Sequence, residues 1–314
     1  MMVRFGHKNK KMKSICILGV FVADLCFVGE KIPSEGQTVL GKKHIVGPGG
    51  KGSNQAIAAA RLNGDVSFIT KVGKDSHAEM AFNLYKKSGV KTHSIIHDEK
   101  LFTGVAGIMI DKEGKNAINI VSGAAEHLVA EDIDNQIETI KNSDIFLTQM
   151  ETPDAVTIYA LKKANEQKCI TILNPAPARK IDENNFQLID FFTPNETEAE
   201  FYLNKKIETN EDIKLAANDL LRKGIKNVVI TLGHKGIYFA NKKQNFFLEA
   251  FKLEKPVVDT TGAGDAFNGA LAVGLANDLE IKKALIFANK VAGISTTKLG
   301  AAASMPFSEE IVDN

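Results

Sequence analysis

The chain has 314 residues, 44% hydrophobic and 25% charged, which excludes fibrous and wholly disordered classes. Its 39 Lys+Arg against 38 Asp+Glu leave a formal net charge of +1, so no bulk field draws it to nucleic acid or anionic lipid. With Trp 0 and Tyr 4 it also lacks a base-stacking platform, and any anion it binds must be gripped by a local device such as a glycine loop or a helix end.

Residues 1–13 are basic, lack acids and have neither a signal core nor a cleavage site, and read as a short disordered tail, with a transit peptide as the lesser alternative because the segment lacks the serine richness and length of one. Residues 14–19 form an apolar run ending in Gly19, the mark of a buried strand. Residues 21–46 alternate polar and apolar, broken by Pro33, Gly36 and Gly41, and predict two or three partly exposed strands. A helix is expected from Ser53, stopped by Asn63-Gly64, then a strand over 66–70 and a helix over 76–87. Segments 103–110 and 116–120 flank a turn at 111–115 and predict a hairpin.

Strict alternation follows. Helix 130–141 leads to strand 145–148, helix 153–167 to strand 170–173, and a further helical stretch to strand 191–193. Helix 212–222 leads to strand 228–232, a hairpin turns at 241–243, and helices 266–277 and 281–297 close the pattern. Such alternation predicts an α/β fold, a mostly parallel sheet flanked by helices on both faces. The β-rich stretches at about 21–46 and 101–121 do not fit that sheet and predict a small β-sheet lid on one domain spanning 14–307, with a tail at 308–314.

Cys16, Cys26 and Cys169 are odd in number and form no C-x-x-C, which suits a reducing cytosol and a cytoplasmic protein. His93 and His97 flank a strand-like segment and make a poor zinc pair. No apolar run reaches the ~18 residues of a membrane span.

Ligands of open α/β sheets bind at the carboxyl ends of strands, and two strand-to-helix turns are unusual. The first, Gly47-Pro48-Gly49-Gly50-Lys51-Gly52-Ser53-Asn54, contains G-x-G-x-x-G, with Asp75 roughly 20 residues on, as a dinucleotide-binding turn would. It does not follow the first buried strand, however, and Pro48, Lys51 and Asn54 sit where a Rossmann turn needs close backbone contact. Besides a plain flexible turn, a loop bringing N–H groups to a small polar ligand remains, with Lys51 and Asn54 as donors.

The second turn, Asp259-Thr260-Thr261-Gly262-Ala263-Gly264-Asp265, opens an alanine-rich helix. Asp265 can be an ordinary N-cap. Beside an anion hole of Gly262, Ala263 and Gly264 N–H groups, it can instead take a hydroxyl proton while those groups hold a phosphoryl group. Walker A, His-Arg-Asp and Asp-Phe-Gly motifs are absent. Asn195 and Glu198, three apart, can share a face near a hydrated Mg²⁺ or form a capping box. The turn Thr231-Leu232-Gly233-His234-Lys235-Gly236 is placed for a nucleotide or is a plain hairpin turn.

Together these segments resemble the ribokinase or PfkB-type sugar kinase family, over residues 14–306; Asn174-Pro175-Ala176-Pro177-Ala178-Arg179 and Thr193-Pro194-Asn195-Glu196-Thr197-Glu198 resemble its ribokinase branch most. The resemblance implies an ATP-dependent kinase acting on the 5-hydroxyl of D-ribose, with Asp265 as base and Gly262 to Gly264 as anion hole. It implies sugar contacts from Asp24, Gly50, Lys51, Gly52, Ser53, Asn54 and Glu151. Nucleotide contacts would come from Asn195, Thr231, Leu232, Gly233, His234, Lys235, Gly236, Gly264 and Asn289, with Glu198 near Mg²⁺. It further implies a K⁺ site at Asp259, Thr261, Ser295, Lys298, Gly300 and Ser304, and a homodimer through the lid; Asp259 can equally be a strand-end acid capping the Thr-Thr turn.

One position departs from the pattern. Val22 stands where ribokinases typically carry a sugar-reading Asn, two before Asp24. A buried hydroxyl facing valine loses a partner worth roughly 1–3 kcal/mol, which admits 2-deoxyribose or another pentose as the substrate. Remoter readings are an NAD-dependent oxidoreductase using Gly47 to Gly52 and a sugar-binding protein without catalysis.

Overall fold

Buried β-branched and aromatic runs build the centre of the molecule. The computed structural model describes residues 13–312; the expected tail, Lys13 apart, lies outside them. In chain order come β1 (Ser14–Leu18), β2 (Val22–Val28), β3 (Lys43–Gly49), α1 (Lys51–Arg61), β4 (Asp65–Val72), α2 (Ser76–Ser88) and β5 (Ile95–His97). Next are β6 (Thr103–Ile110), β7 (Asn116–Gly123), α3 (Ala130–Asn135), α4 (Ile137–Lys141), β8 (Ile145–Thr148), α5 (Asp154–Glu166), β9 (Ile170–Leu173) and β10 (Phe191–Phe192). Then follow α6 (Glu196–Leu203), α7 (Asn210–Arg222), β11 (Asn227–Thr231), β12 (Ile237–Asn241), β13 (Asn245–Leu248), α8 (Ala263–Ala276), α9 (Ile281–Ser295) and α10 (Ser308–Val312).

Nine strands form the central sheet in the order β13-β12-β11-β10-β9-β8-β1-β4-β5. It is parallel except at β12 and β13. Alternation along β1 explains why its whole run is apolar: Ile15 and Ile17 join the core under α1, α8 and α9, while Cys16 and Leu18 join the core under α3, α5 and α7. The lid is a second sheet in the order β3-β2-β6-β7. The two β-rich stretches therefore make one sheet, joined by the parallel β2–β6 pair. The chain passes from β1 to β4 on one side and returns to β8 on the other, so the crevice beyond the carboxyl ends of β1 and β8 is the switch point where this architecture places ligands.

Several boundaries differ from the sequence expectation. Helix 130–141 is broken into α3 and α4 at Gln136, whose φ of −105° departs from helix and whose N–H turns to Ile133 O at 3.0 Å. The helical stretch before β10 is only a 3₁₀ turn, Glu183–Leu188, because Pro175 and Pro177 remove donors from the segment ahead of it. Residues 308–312, read as tail, form α10, with Ile311 buried. Helix α1 starts at Lys51 instead of Ser53, and α8 at Ala263 instead of Ala266. Both shifts place a glycine at the N-cap with positive φ, Gly50 at 87° and Gly262 at 77°. A side chain at Gly50 would also overlap the Val20 carbonyl. Backbone and ligand can therefore approach closely at these two helix ends.

Candidate active site

Four elements converge at the switch point. Helix α1 brings Lys51, Asn54 and Gln55, the loop after β8 brings Gln149 and Glu151, α8 brings Asp265, and lid strand β2 brings Asp24. The Lys51 N–H donates to Glu151 Oε2 at 2.7 Å, tying the glycine loop to β8. Asp24 lies against Gly49, where any Cβ would overlap its carboxylate, so this glycine leaves room for the acid.

Asp265 is 5% exposed. Its Oδ2 accepts from Asn54 Nδ2 at 2.9 Å and its Oδ1 from Gln55 Nε2 at 3.0 Å. The other Asn54 atom, Oδ1, is buried without a partner among the described residues. An orphaned acceptor beside a carboxylate fits a ligand hydroxyl, which can donate to it. A side chain built on Gly264 would meet open space, so the start of α8 is accessible to an anion. The Ala263 N–H, expected in the anion hole, donates to Thr260 O at 3.2 Å. Gly264 and Asp265 lie in the first turn, where no intrahelical carbonyl is available to their N–H groups.

Burial dominates the electrostatics. It pushes the Glu151 carboxyl up to about 7, against the pull of Lys51, and the Asp24 carboxyl up to about 6. Burial also raises Asp265 and Glu198, each partly offset by Lys51 and hydrogen bonds. Burial works against the Lys51 ammonium, but Asp265, Glu151 and Glu198 outweigh it and raise its pKa. One cation thus serves a cluster of carboxylates, and the site is suited to gathering hydroxyl groups and protons around a fixed positive charge.

The other predicted residues fall into two groups. Asn195 pairs with Thr231 as an isolated bridge, and the Thr231 N–H donates to Pro194 O at 2.9 Å, which joins the start of α6 to the turn after β11. Asn195 and Glu198 do form a capping box, Asn195 Oδ1 accepting the Glu198 N–H at 2.8 Å and Glu198 Oε2 the Asn195 N–H at 2.9 Å. Glu198 remains close enough to Lys51 to raise its pKa. Gly233, His234 and Lys235 form the 3₁₀ turn closed by Gly236, Lys235 pairing with Glu196 at 3.7 Å. Leu232 points into the core, 3% exposed. Asn289 donates to Glu249 O at 2.6 Å, one residue past β13. In the second group, Asp259 accepts the N–H groups of Thr261 (2.9 Å) and Gly300 (2.8 Å). Burial pulls its carboxyl up, but these bonds outweigh that and lower it. The Ser295 and Ser304 hydroxyls turn to the carbonyls of Ala292 and Ala301, both at 2.8 Å, and Lys298 pairs with Glu310. Among the described residues no three His, Cys, Asp or Glu side chains gather as a metal site. That donor set suits ions held by carbonyls, phosphates and water better than by a carboxylate cage.

Ser53 corrects the sequence reading. It is fully buried, and its hydroxyl accepts from Tyr85 Oη at 2.9 Å, on the core side of α1. Its N–H is taken by Val20 O at 3.2 Å. The Ser53 hydroxyl and N–H are thus both occupied within the fold, on the face of α1 turned away from Asp265. The dinucleotide reading fails for a related reason: the glycine turn follows lid strand β3 and not the first core strand.

The chain matches the profile of the pfkB family of carbohydrate kinases over residues 12–308. It belongs to that family. It is 38% identical over 299 residues to the ribokinase of Staphylococcus aureus strain COL, covering 95% of this chain and 98% of that one. It is 34% identical over 297 residues to the deoxyribokinase of Salmonella typhi, covering 94% and 96%. The structure of Arabidopsis thaliana ribokinase complexed with ribose and ATP superposes with a TM-score of 0.90 at 29% identity, covering 96% of this chain and 98% of that one. The family member described here is a phosphotransferase acting on a sugar hydroxyl, and its lid and three-layer core are those expected.

Sequence reasoning missed a buried set of amides behind the base: Gln149 altogether, and Gln55, Asn174 and Asn268, which it noted only as parts of motifs. The available signal was a polar residue inside a largely apolar helix, as at Asn268 in α8, where eleven other residues are buried along with it.

Proposed function

We propose that this sugar kinase transfers the γ-phosphoryl group of ATP to the 5-hydroxyl of D-ribose, giving ribose 5-phosphate and ADP. The observation that carries the reading is the placement of Asp265: a buried carboxylate at the start of α8, held on both oxygens, next to an accessible helix N-terminus and the orphaned Asn54 Oδ1. Asp265 takes the hydroxyl proton as the new O–P bond forms and the P–O bond to ADP breaks. The N–H groups at the start of α8, with the partial positive charge of the helix end, and Lys51 stabilise the charge that builds up on the phosphoryl oxygens. Asp24, Glu151, the Gly50 and Gly52 backbone and Asn54 hold the sugar. The segments at Asn195, Thr231 to Gly236 and Asn289 hold the nucleotide. When bound, Mg²⁺ near Glu198 neutralises phosphate charge, and K⁺ at the Asp259, Thr261 and Gly300 loop would brace the turn that carries the helix end. The three free cysteines suit a cytoplasmic site of action.

A second reading rests on Val22. It shares a face of β2 with Asp24 and packs with Val20, Ala106 and Ala125 in a small apolar cluster, 5% exposed. A sugar lacking one hydroxyl suits such a wall, and this reading is 2-deoxyribose as the substrate.

A coupled ADP-release assay with ribose, 2-deoxyribose, arabinose, fructose and adenosine, each with and without K⁺, tests both readings. Turnover restricted to fructose or adenosine overturns them. In the same assay Asp259→Ala abolishes K⁺ stimulation; equal stimulation of the variant overturns the K⁺ site.

A further inference from the structure

The amides behind Asp265 form one directed chain. Gln55 is fully buried, Gln149 and Asn268 are 1% exposed, Thr193 2% and Asn174 6%. An ionised carboxylate can only accept hydrogen bonds, so Gln55 must present Nε2 to Asp265 Oδ1. The same Nε2 lies 3.1 Å from Asn174 Oδ1. Gln55 Oε1 is then committed to the other side, where it accepts from Gln149 Nε2 at 2.6 Å. Asn174 must in turn offer Nδ2, which reaches Thr193 O at 3.4 Å. The Thr193 hydroxyl donates to Asn268 Oδ1 at 2.7 Å, and Asn268 Nδ2 donates to Gly264 O at 2.8 Å.

Two branches of this network therefore land on the first turn of α8, one on the base and one on the backbone beside it; its far end is Gln149, whose Oε1 is buried without a partner among the described residues. Five polar side chains in a core are a costly way to fill volume unless their bonds are used.

We propose that Gln55 is a positioning residue for the base: its amide, oriented by Gln149 and Asn174, fixes the Asp265 carboxylate in one rotamer and leaves one lone-pair direction open to the sugar hydroxyl. The proposal rests on the reading of Asp265 as base. Asn54 braces the second carboxylate oxygen from the adjacent position of the same helix. The charged groups facing Asp265 are Lys51 from α1, Glu151 after β8 and Glu198 from α6, and none replaces the directed N–H of Gln55.

The test is the pH profile of kcat for Gln55→Met and Gln149→Met, with Asp265→Asn as control. Gln55→Met keeps the side-chain length and removes the donor. Its kcat falls roughly 10- to 100-fold with sugar KM within about 3-fold, and the acid limb of its profile moves up by about 0.5–1 pH unit, because the ionised carboxylate loses a hydrogen bond. Gln149→Met moves the limb the same way by less. A packing defect alone would lower activity without moving the limb. An acid limb unmoved in both variants, or kcat and KM changing together on a wild-type profile, overturns the proposal. Should Gln55→Met fail to fold, Gln149→Met decides, together with the side-chain amide NMR signals of Gln55 in the unaltered protein. Those signals shift through the midpoint of the acid limb; signals constant across it overturn the proposal. Wild-type turnover by Asp265→Asn would instead overturn the base assignment itself, while an inactive Asp265→Asn with unmoved Gln55 and Gln149 profiles removes only the role of Gln55.

Discussion

Asn54 and Asp265 are 211 positions apart in sequence, and the amide of one meets the carboxylate of the other at 2.9 Å in a buried crevice. The sugar-side helix and the phosphate-side helix are thereby locked at their N-termini: the Lys51 and Ser53 N–H groups of the first are taken by Glu151 and Val20, while the first turn of the second offers N–H groups with no intrahelical carbonyl.

Replacing the acid by its amide should separate chemistry from binding. Asp265→Asn keeps the shape and loses the proton acceptor, so kcat should fall by roughly 10²–10⁴-fold. Calorimetric affinity for the sugar should stay within a few-fold. A variant with wild-type turnover would remove Asp265 from the mechanism.

Glu151 makes a pH prediction. Its carboxyl sits at about 7 in the folded chain against 4.5 ordinarily, so between these values the folded state holds a proton that the unfolded state has lost. Stability from this group is present below 4.5 and is lost as pH rises through about 7. Glu151→Gln removes that loss while keeping an oxygen for the Lys51 N–H. The Tm of the variant, measured from pH 5 to 8 without sugar, should gain on the wild type as pH rises. Parallel curves would count against a raised Glu151.

Val22→Asn tests substrate choice. Giving the wall a hydrogen-bonding partner should raise the ribose to 2-deoxyribose ratio of kcat/KM by roughly 5- to 100-fold, the kinetic equivalent of 1–3 kcal/mol. An unmoved ratio would mean that this position does not read the sugar.

Ser53→Ala should leave the sugar KM unchanged, because its hydroxyl faces Tyr85. It should cost about 1–3 kcal/mol, since the Tyr85 hydroxyl is left buried without its partner. Thermal melting reads the loss and the ADP assay reads KM. A raised KM with an unchanged Tm would return Ser53 to the sugar site.

The lid carries a prediction about assembly. By register, Phe27, Val46, Met109 and Val121 share the face of the lid opposite Asp24, and all are exposed. A second copy of the chain covering this face would bury them. Sedimentation velocity should show a dimer for the native chain and a monomer for Met109→Lys. A native monomer at micromolar concentration would overturn the homodimer.

Much of this protein is legible in its sequence because local physics writes it there. Apolar runs such as Ile15 to Leu18 must be buried on both faces, glycine pairs at Gly49-Gly50 and Gly262 to Gly264 mark helix starts that tolerate close approach, and an acid after such a start names a candidate base. What the sequence could not decide depends on side-chain direction across long separations. Ser53 and Asn54 are neighbours with equal claims on a ligand, yet the one-residue rotation along α1 turns the first toward Tyr85 and the second toward Asp265. The amide chain from Gln149 through Gln55 to Asn268 draws on the loop after β8, on α1 and on α8, and each member alone looks like an ordinary polar residue. Only folding, which puts three helix and strand ends at one switch point, gives their donors and acceptors a common direction.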